Sequence, residues 1–125
     1  MKTVLELYVA TRERFPELAS RADELHVRRW DELNAELAHV WFESLAQTIN
    51  ADMTAGLPFR DHEALFSCLA SAFESGSEEV KSCIDVSFVE NLFWEVPPGK
   101  AEGYWLPLPQ RLKDLYVAFH QRGPL

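Results

Sequence analysis

Glu36 and His39 stand in the order Glu-x-x-His, a spacing that places a carboxylate and an imidazole on one face of a helix. Two such pairs on facing helices build di-metal carboxylate centres. The chain holds no second copy, so this pair reads as the solvated face of a helix that buries Leu37 and Trp41. Asp61, His62 and Glu63 are consecutive, and consecutive helical residues diverge by about 100°, so they read as a helix start and not as a shared ligand set. Cys68 and Cys83, with no further cysteine or histidine at ligand spacing, are expected to be separate thiols, neither a disulfide nor a metal pair. No glycine-rich phosphate loop, Gly-x-Ser-x-Gly elbow or Cys-x-x-Cys motif occurs. No metal and no cofactor is expected. Catalytic groups assembled from distant positions would leave no local trace, and Glu90 with His39 or His120 is the carboxylate–histidine pairing such an enzyme would use.

The other chemistry the sequence offers is recognition. Glu78, Glu79, Asp85, Glu90 and Glu95 fall within eighteen residues, interleaved with large apolar side chains, and Phe93, Trp94, Tyr104 and Trp105 bracket a proline-rich stretch. Acids on a helix are by default its solvated face, and aromatic rings by default pack a loop onto its helices. Acids also steer a basic partner, and aromatics with a polar edge anchor interfaces. The regional charge gives the acids weight. Residues 1–30 carry six bases and five acids, residues 31–102 three bases and fourteen acids, and residues 103–125 three bases and one acid, within a formal net charge of -8. A field of that sign repels nucleic-acid backbones and anionic membranes and attracts basic proteins.

These groups must be positioned by helices. A chain of 125 residues with 47% hydrophobic residues is long enough for one self-sufficient core. Val4, Leu5, Tyr8 and Val9 predict a first helix over about 2–14, and Pro16 opens a second whose buried side is Leu18, Ala22 and Leu25. Trp30, Leu33, Leu37, Trp41, Leu45, Ile49 and Met53 step by three or four, predicting one long helix that stops at Gly56. Its opposite face, Glu32, Glu36, His39, Glu43, Gln47 and Asn50, is expected to be exposed. Asp61 is expected to cap a helix burying Leu65, Leu69, Ala72 and Phe73 and ending at Gly76. Ser77 then caps the next, in which Val80, Ile84, Phe88 and Leu92 repeat every four residues, with Cys83, Val89 and Asn91 at the margins. Four prolines and two glycines within residues 94–109 predict a long ordered loop, after which Leu112, Leu115, Tyr116 and Phe119 face inward on a last helix that Gly123 ends. The expected fold is all-α, a single-domain bundle of about six helices with a proline-rich loop before the last. No apolar run approaches the roughly 18 residues of a membrane span and the N-terminus has no signal-peptide pattern, so a cytoplasmic protein is expected.

Over "ESGSEEVKSCIDVSFVENLFWEVP" (residues 74–97) and "YWLPLPQRLKDLYVAF" (104–119) the chain resembles a family of small, acidic, mostly helical bacterial proteins of unknown function. The resemblance covers about a third of the chain and brings no catalytic residues. It implies similarity to immunity proteins of toxin–immunity pairs. The expectation is a binding protein that neutralises a cognate basic toxin by direct contact through Glu78, Glu79, Asp85, Glu90, Trp94, Glu95, Tyr104 and Trp105. The alternative is a small enzyme or ligand-binding domain with a pocket under the 94–109 loop. A homodimer formed through exposed aromatics is a third reading.

Overall fold

In a computed structural model, which describes residues 1–30 and 37–125, the chain is all-α, with seven helices and no strand among the described residues. They are α1 (Val4–Arg14), α2 (Pro16–Trp30), α3 (Ala38–Thr54), α4 (Glu63–Ser75), α5 (Glu78–Ser82), α6 (Pro98–Trp105) and α7 (Gln110–His120). A 3-10 turn, Phe59–Asp61, precedes α4. Beyond Ser82 the α5 segment widens into a π turn (Cys83–Phe88) and tightens into a 3-10 turn (Val89–Asn91).

The apolar row of α3 explains the arrangement. Trp41, Phe42, Leu45, Ala46, Ile49 and Met53 are all buried, and α1, α2, α6 and the π and 3-10 turns pack around them. Burying a large apolar side chain contributes about 1.5–3 kcal/mol, so elements gather where such residues are densest. Enclosure also buries polar positions of α3, namely Ser44, Thr48, Asn50 and Asp52. Each has to find a partner. Thr48 donates to the Ser44 carbonyl at 2.8 Å, Ser44 meets His26 of α2, and no buried side-chain nitrogen or oxygen among the described residues is left unpaired.

Several expectations need correction. The helix read from Trp30 to Met53 is divided between two elements: Trp30 ends α2, exposed, and α3 begins at Ala38. Leu33, Glu32 and Glu36, and with Glu36 the Glu-x-x-His pair, lie outside the described residues. α1 buries Leu7, Tyr8 and Thr11, leaving Leu5 and Val9 exposed. The face is rotated because polar groups belong to it: the Thr11 hydroxyl donates to the Leu7 carbonyl at 2.7 Å, and Arg12 crosses the Tyr8 and Trp41 rings to bond Asp23 at 2.8 Å. Trp41 Nε1 donates to the same carboxylate at 2.8 Å. In α2 the buried residues are likewise Ala19, Ala22 and His26, with Leu18 and Leu25 at the edge.

Asp61 lies in the 3-10 turn, one residue before His62, which holds the cap position of α4 without a side-chain bond. Phe119 is 57% exposed, since α7 is covered along Leu112 and Tyr116, with Leu115 partly buried beside them, and the helix ends at Gln121 in left-handed conformation, ahead of Gly123. The expected loop over 94–109 contains α6. Pro98 sits in the first helical turn, where its missing N–H costs nothing, so prolines that argued against helix in fact open one.

Val80, Ile84, Phe88 and Leu92 are all buried, as their spacing predicts; the widened turn brings Cys83 and Val89 inward too. Gly76 is required at the α4–α5 junction, where a Cβ would lie 2.5 Å from the Ala72 carbonyl oxygen and 2.8 Å from Val80 Cγ1. Ser77 Oγ accepts the Val80 N–H at 3.2 Å and donates to the Lys2 carbonyl at 2.7 Å, tying the start of α5 to the chain before α1. Ser77→Ala is therefore expected to lower stability by about 1 kcal/mol in urea unfolding; an unchanged midpoint would show the cap to be redundant.

Candidate functional site

Residues 91–96 connect the 3-10 turn to α6, and they contain two of the three non-glycine residues with positive φ among those described. Phe93 lies at φ 68 and Glu95 at φ 56, with Trp94 between them. A bulky side chain in the left-handed region costs of order 1–3 kcal/mol and persists when its surroundings over-determine it. Here they do. Phe93 is buried, its ring edge-on to Trp105 and Tyr116 at 5.8 and 5.5 Å. Its N–H donates to Asn50 Oδ1 at 2.7 Å, while Asn50 Nδ2 donates to the Asn91 carbonyl at 2.9 Å. Asn91 Nδ2 in turn bonds the Ser87 carbonyl at 2.8 Å.

Asn50 was expected on an exposed face and is 4% exposed. Its amide is the fastening between α3 and the turn, and the turn holds Trp94 outward at 62% exposure. Trp94, Glu95, Gln47, Asn50, Thr54 and Arg29 border a groove of about 670 Å³. A surface tryptophan on a strained, hydrogen-bonded turn is pre-organised to present its ring, the condition a docking anchor needs.

The other expected site residues separate. Tyr104 is 3% exposed, ringed by Phe59, Phe66 and His62, with its hydroxyl donating to the Pro58 carbonyl at 3.3 Å. Burial, then the charges of Asp52 and Asp61, push that phenol up to about 12. Trp105 is half-buried against Phe93 and Tyr116. Both rings pack internally, which is what aromatics do beside a proline-rich stretch that turns helical. Glu79 is exposed but accepts the Val4 N–H at 2.8 Å, so it serves the N-terminus of α1. Glu78 is exposed at the same end of α5, roughly 20 Å along the helical segment from the Trp94 turn. Asp85 and Glu90 are half-buried; burial raises both pKa values, and the charge of Asp85 adds to the shift of Glu90.

For the enzyme reading, the cavity under α6 holds about 240 Å³ and is bordered by Met53, Gly56, Pro58, Phe59, Gly103 and Tyr104 among others, without Glu90, His39 or His120. His39 borders a separate groove with Leu5, Glu79 and Val86. His120 reaches Glu90 through the backbone, Nε2 donating to its carbonyl at 3.2 Å, and its ring stacks on Tyr116 at 4.1 Å. Among the described residues no three His, Cys, Asp or Glu side chains gather to hold a metal ion.

A buried polar cluster joins α2, α3 and the start of α4, and spacing gave no sign of it. Asp52 accepts from His62 Nε2 at 2.7 Å and from both terminal nitrogens of Arg21, one at 2.9 Å. Burial opposes ionisation of Asp52, but the bonds from Arg21 and His62 more than offset it and hold the carboxyl below its ordinary value. An ionised carboxylate only accepts, so Nε2 carries the hydrogen. These residues border a cleft of about 520 Å³ with Arg14, Phe15, Leu18 and Leu65.

Both cysteines are free. Cys83 is buried, which pushes its thiol up to about 12, against a smaller opposing contribution from a hydrogen bond with Ser87. Cys68 is half-exposed. A thiol reagent at pH 8 is expected to modify Cys68 first and Cys83 only on unfolding; equal rates by mass spectrometry would contradict the burial.

The geometry defines an all-α protein whose most exposed tryptophan stands on a rigid turn, and no helix among the described residues is long and apolar enough to cross a membrane. The chain belongs to the family described as Domain of unknown function (DUF7674), whose model matches residues 10–122 and so spans both segments that carried the resemblance. Comparison with curated proteins and with solved structures gives no match.

Proposed function

We propose that this protein is a binding module that docks a basic protein partner on the Trp94 turn, and that the partner is a toxin domain which it neutralises by direct contact, as a bacterial immunity protein does. The observation that carries the docking reading is the turn: two left-handed residues, the first of them bonded to Asn50, flank a large aromatic ring held in solvent. A ring that is merely surplus to the core needs no such support. The formal charge of -8, concentrated in residues 31–102, supports a basic partner, since complementary charge speeds encounter and a desolvated aromatic anchor slows release. The toxin identity rests on the resemblance over residues 74–97 and 104–119.

Neutralisation needs complementarity and no chemistry by the inhibitor. The test is co-expression with a basic protein encoded beside this one. The reading predicts a stable complex, protection of cells from that protein, and association that slows as salt rises. A complex without protection would reject the immunity role, and salt-independent association would reject electrostatic steering.

A further inference from the structure

We propose that the groove beside Trp94 is a receptor for a single arginine side chain of the partner, whose guanidinium stacks on the indole and pairs with Glu95. The proposal deepens the docking reading and rests on it for the partner, though not for the site itself.

The first support is the way the chain treats its other rings. Arg12 stands over Tyr8 and Trp41 at 5.1 and 5.9 Å, Arg29 over Trp30 at 5.9 Å, and Lys113 over Trp105 at 5.8 Å. Three of the four tryptophans thus have a cation of this chain within the roughly 6 Å at which the ring quadrupole attracts it. Among the described residues Trp94 has none, and it is the most exposed of the four. Its face is open.

The second support is charge. Glu95, next to Trp94 and bordering the same groove, makes no ion pair with a described residue. Beside it Thr54 spends its hydroxyl hydrogen on the Asn50 carbonyl at 3.0 Å, which leaves the hydroxyl oxygen as an acceptor. An open aromatic face, an unpaired carboxylate and a free acceptor are the groups a guanidinium needs: a surface to stack on, a counter-charge, and lone pairs for its remaining donors. Arg29 on the rim is a like charge and works against the site, although its guanidinium is already engaged with Trp30 and, at 3.4 Å, with Ser44 Oγ. The volume, about 670 Å³, falls in the range of small-ligand sites, ample for one side chain. Because the backbone of the turn is already held in shape, binding has to order only the side-chain torsions of Trp94 and Glu95.

The test titrates the isolated full chain with the blocked tripeptide acetyl-Gly-Arg-Gly-amide and with its citrulline counterpart, which keeps the shape and loses the charge. Binding is read from the indole N–H resonances of the four tryptophans. The expected result is a shift of the Trp94 resonance at a concentration about five-fold or more lower for arginine than for citrulline. Glu95→Gln should erase about three-fold or more of that preference, and Arg29→Gln, which removes the opposing charge, should tighten arginine binding about two-fold. Equal binding of both peptides, shifts at other tryptophans with none at Trp94, or an unchanged preference in Glu95→Gln would each overturn the proposal. A chain that prefers arginine yet forms no complex with the basic partner overturns the docking function and leaves this site standing. A complex weakened by Trp94→Ala, with no arginine preference, does the reverse.

Discussion

Asn50→Ala is expected to lower stability by about 1–3 kcal/mol and to loosen the turn that carries Trp94. The substitution strands the buried Phe93 N–H, and an unsatisfied buried group costs about 1–3 kcal/mol; the part-buried Asn91 carbonyl keeps the Trp94 N–H at 3.4 Å. The left-handed backbone at Phe93 then loses one of its two holds, the packing of its ring on Trp105 and Tyr116 remaining, so part of the loss is recovered as the turn relaxes. Two readouts separate the consequences. Urea unfolding gives the stability change, and hydrogen exchange of residues 91–96 should quicken well beyond what the global change requires. A variant as stable as the parent, with the exchange of the turn unaltered, would show that Asn50 does not fasten it.

The second large effect is at Asp52. Asp52→Asn removes the charge that Arg21 and His62 share inside the fold, and breaking a buried pair by deleting one partner costs about 3–5 kcal/mol. Arg21 is partly in solvent and can rehydrate, which argues for less than that range, about 2–3 kcal/mol at pH 7. The pH dependence follows from the direction of the shift. The folded Asp52 has a lowered pKa, so its contribution is complete above the ordinary aspartate value of about 3.9 and fades as pH falls below that, through the lowered folded value. The gap between the parent and Asp52→Asn should therefore narrow in that acid window. A gap of the same size at pH 3 and pH 7 would mean that the Asp52 charge contributes nothing.

Both residues illustrate what a periodicity hides. The four-residue step of Val80, Ile84, Phe88 and Leu92 and the Ser77 cap were readable because each follows from one local rule: apolar residues in a row face the core, and a serine before two acids starts a helix. Asn50 was misplaced because polar residues at helical spacing read as a solvated face, which assumes that the helix has a solvated face there. α3 is enclosed, and an enclosed helix turns its polar positions into attachment points for its neighbours. Asp52 escaped notice for the same reason, its partners Arg21 and His62 being distant in sequence.

The proline-rich stretch failed in the opposite sense. Proline and glycine content predicts a loop, whereas position decides the matter: Pro98 falls in the first turn of α6 and Pro109 immediately before α7. That helix draws Tyr104 inward and sets Trp105 against Tyr116, leaving Trp94 as the exposed ring of the four that bracket the stretch. Of the candidate site, then, Trp94 and Glu95 were visible as residue types, but the strained turn that presents them was not, since nothing in the local sequence predicts a left-handed phenylalanine.

If a basic partner docks on the Trp94 turn, as proposed, Trp94→Ala must change the rate at which that complex dissociates. The ring is exposed and supports no core contact, so the variant should keep the parent's unfolding midpoint. A central aromatic anchor is worth about 2 kcal/mol, so release about 30-fold faster is expected, with association nearly unchanged. Release at the parent's rate, from a variant that is equally stable, would contradict it.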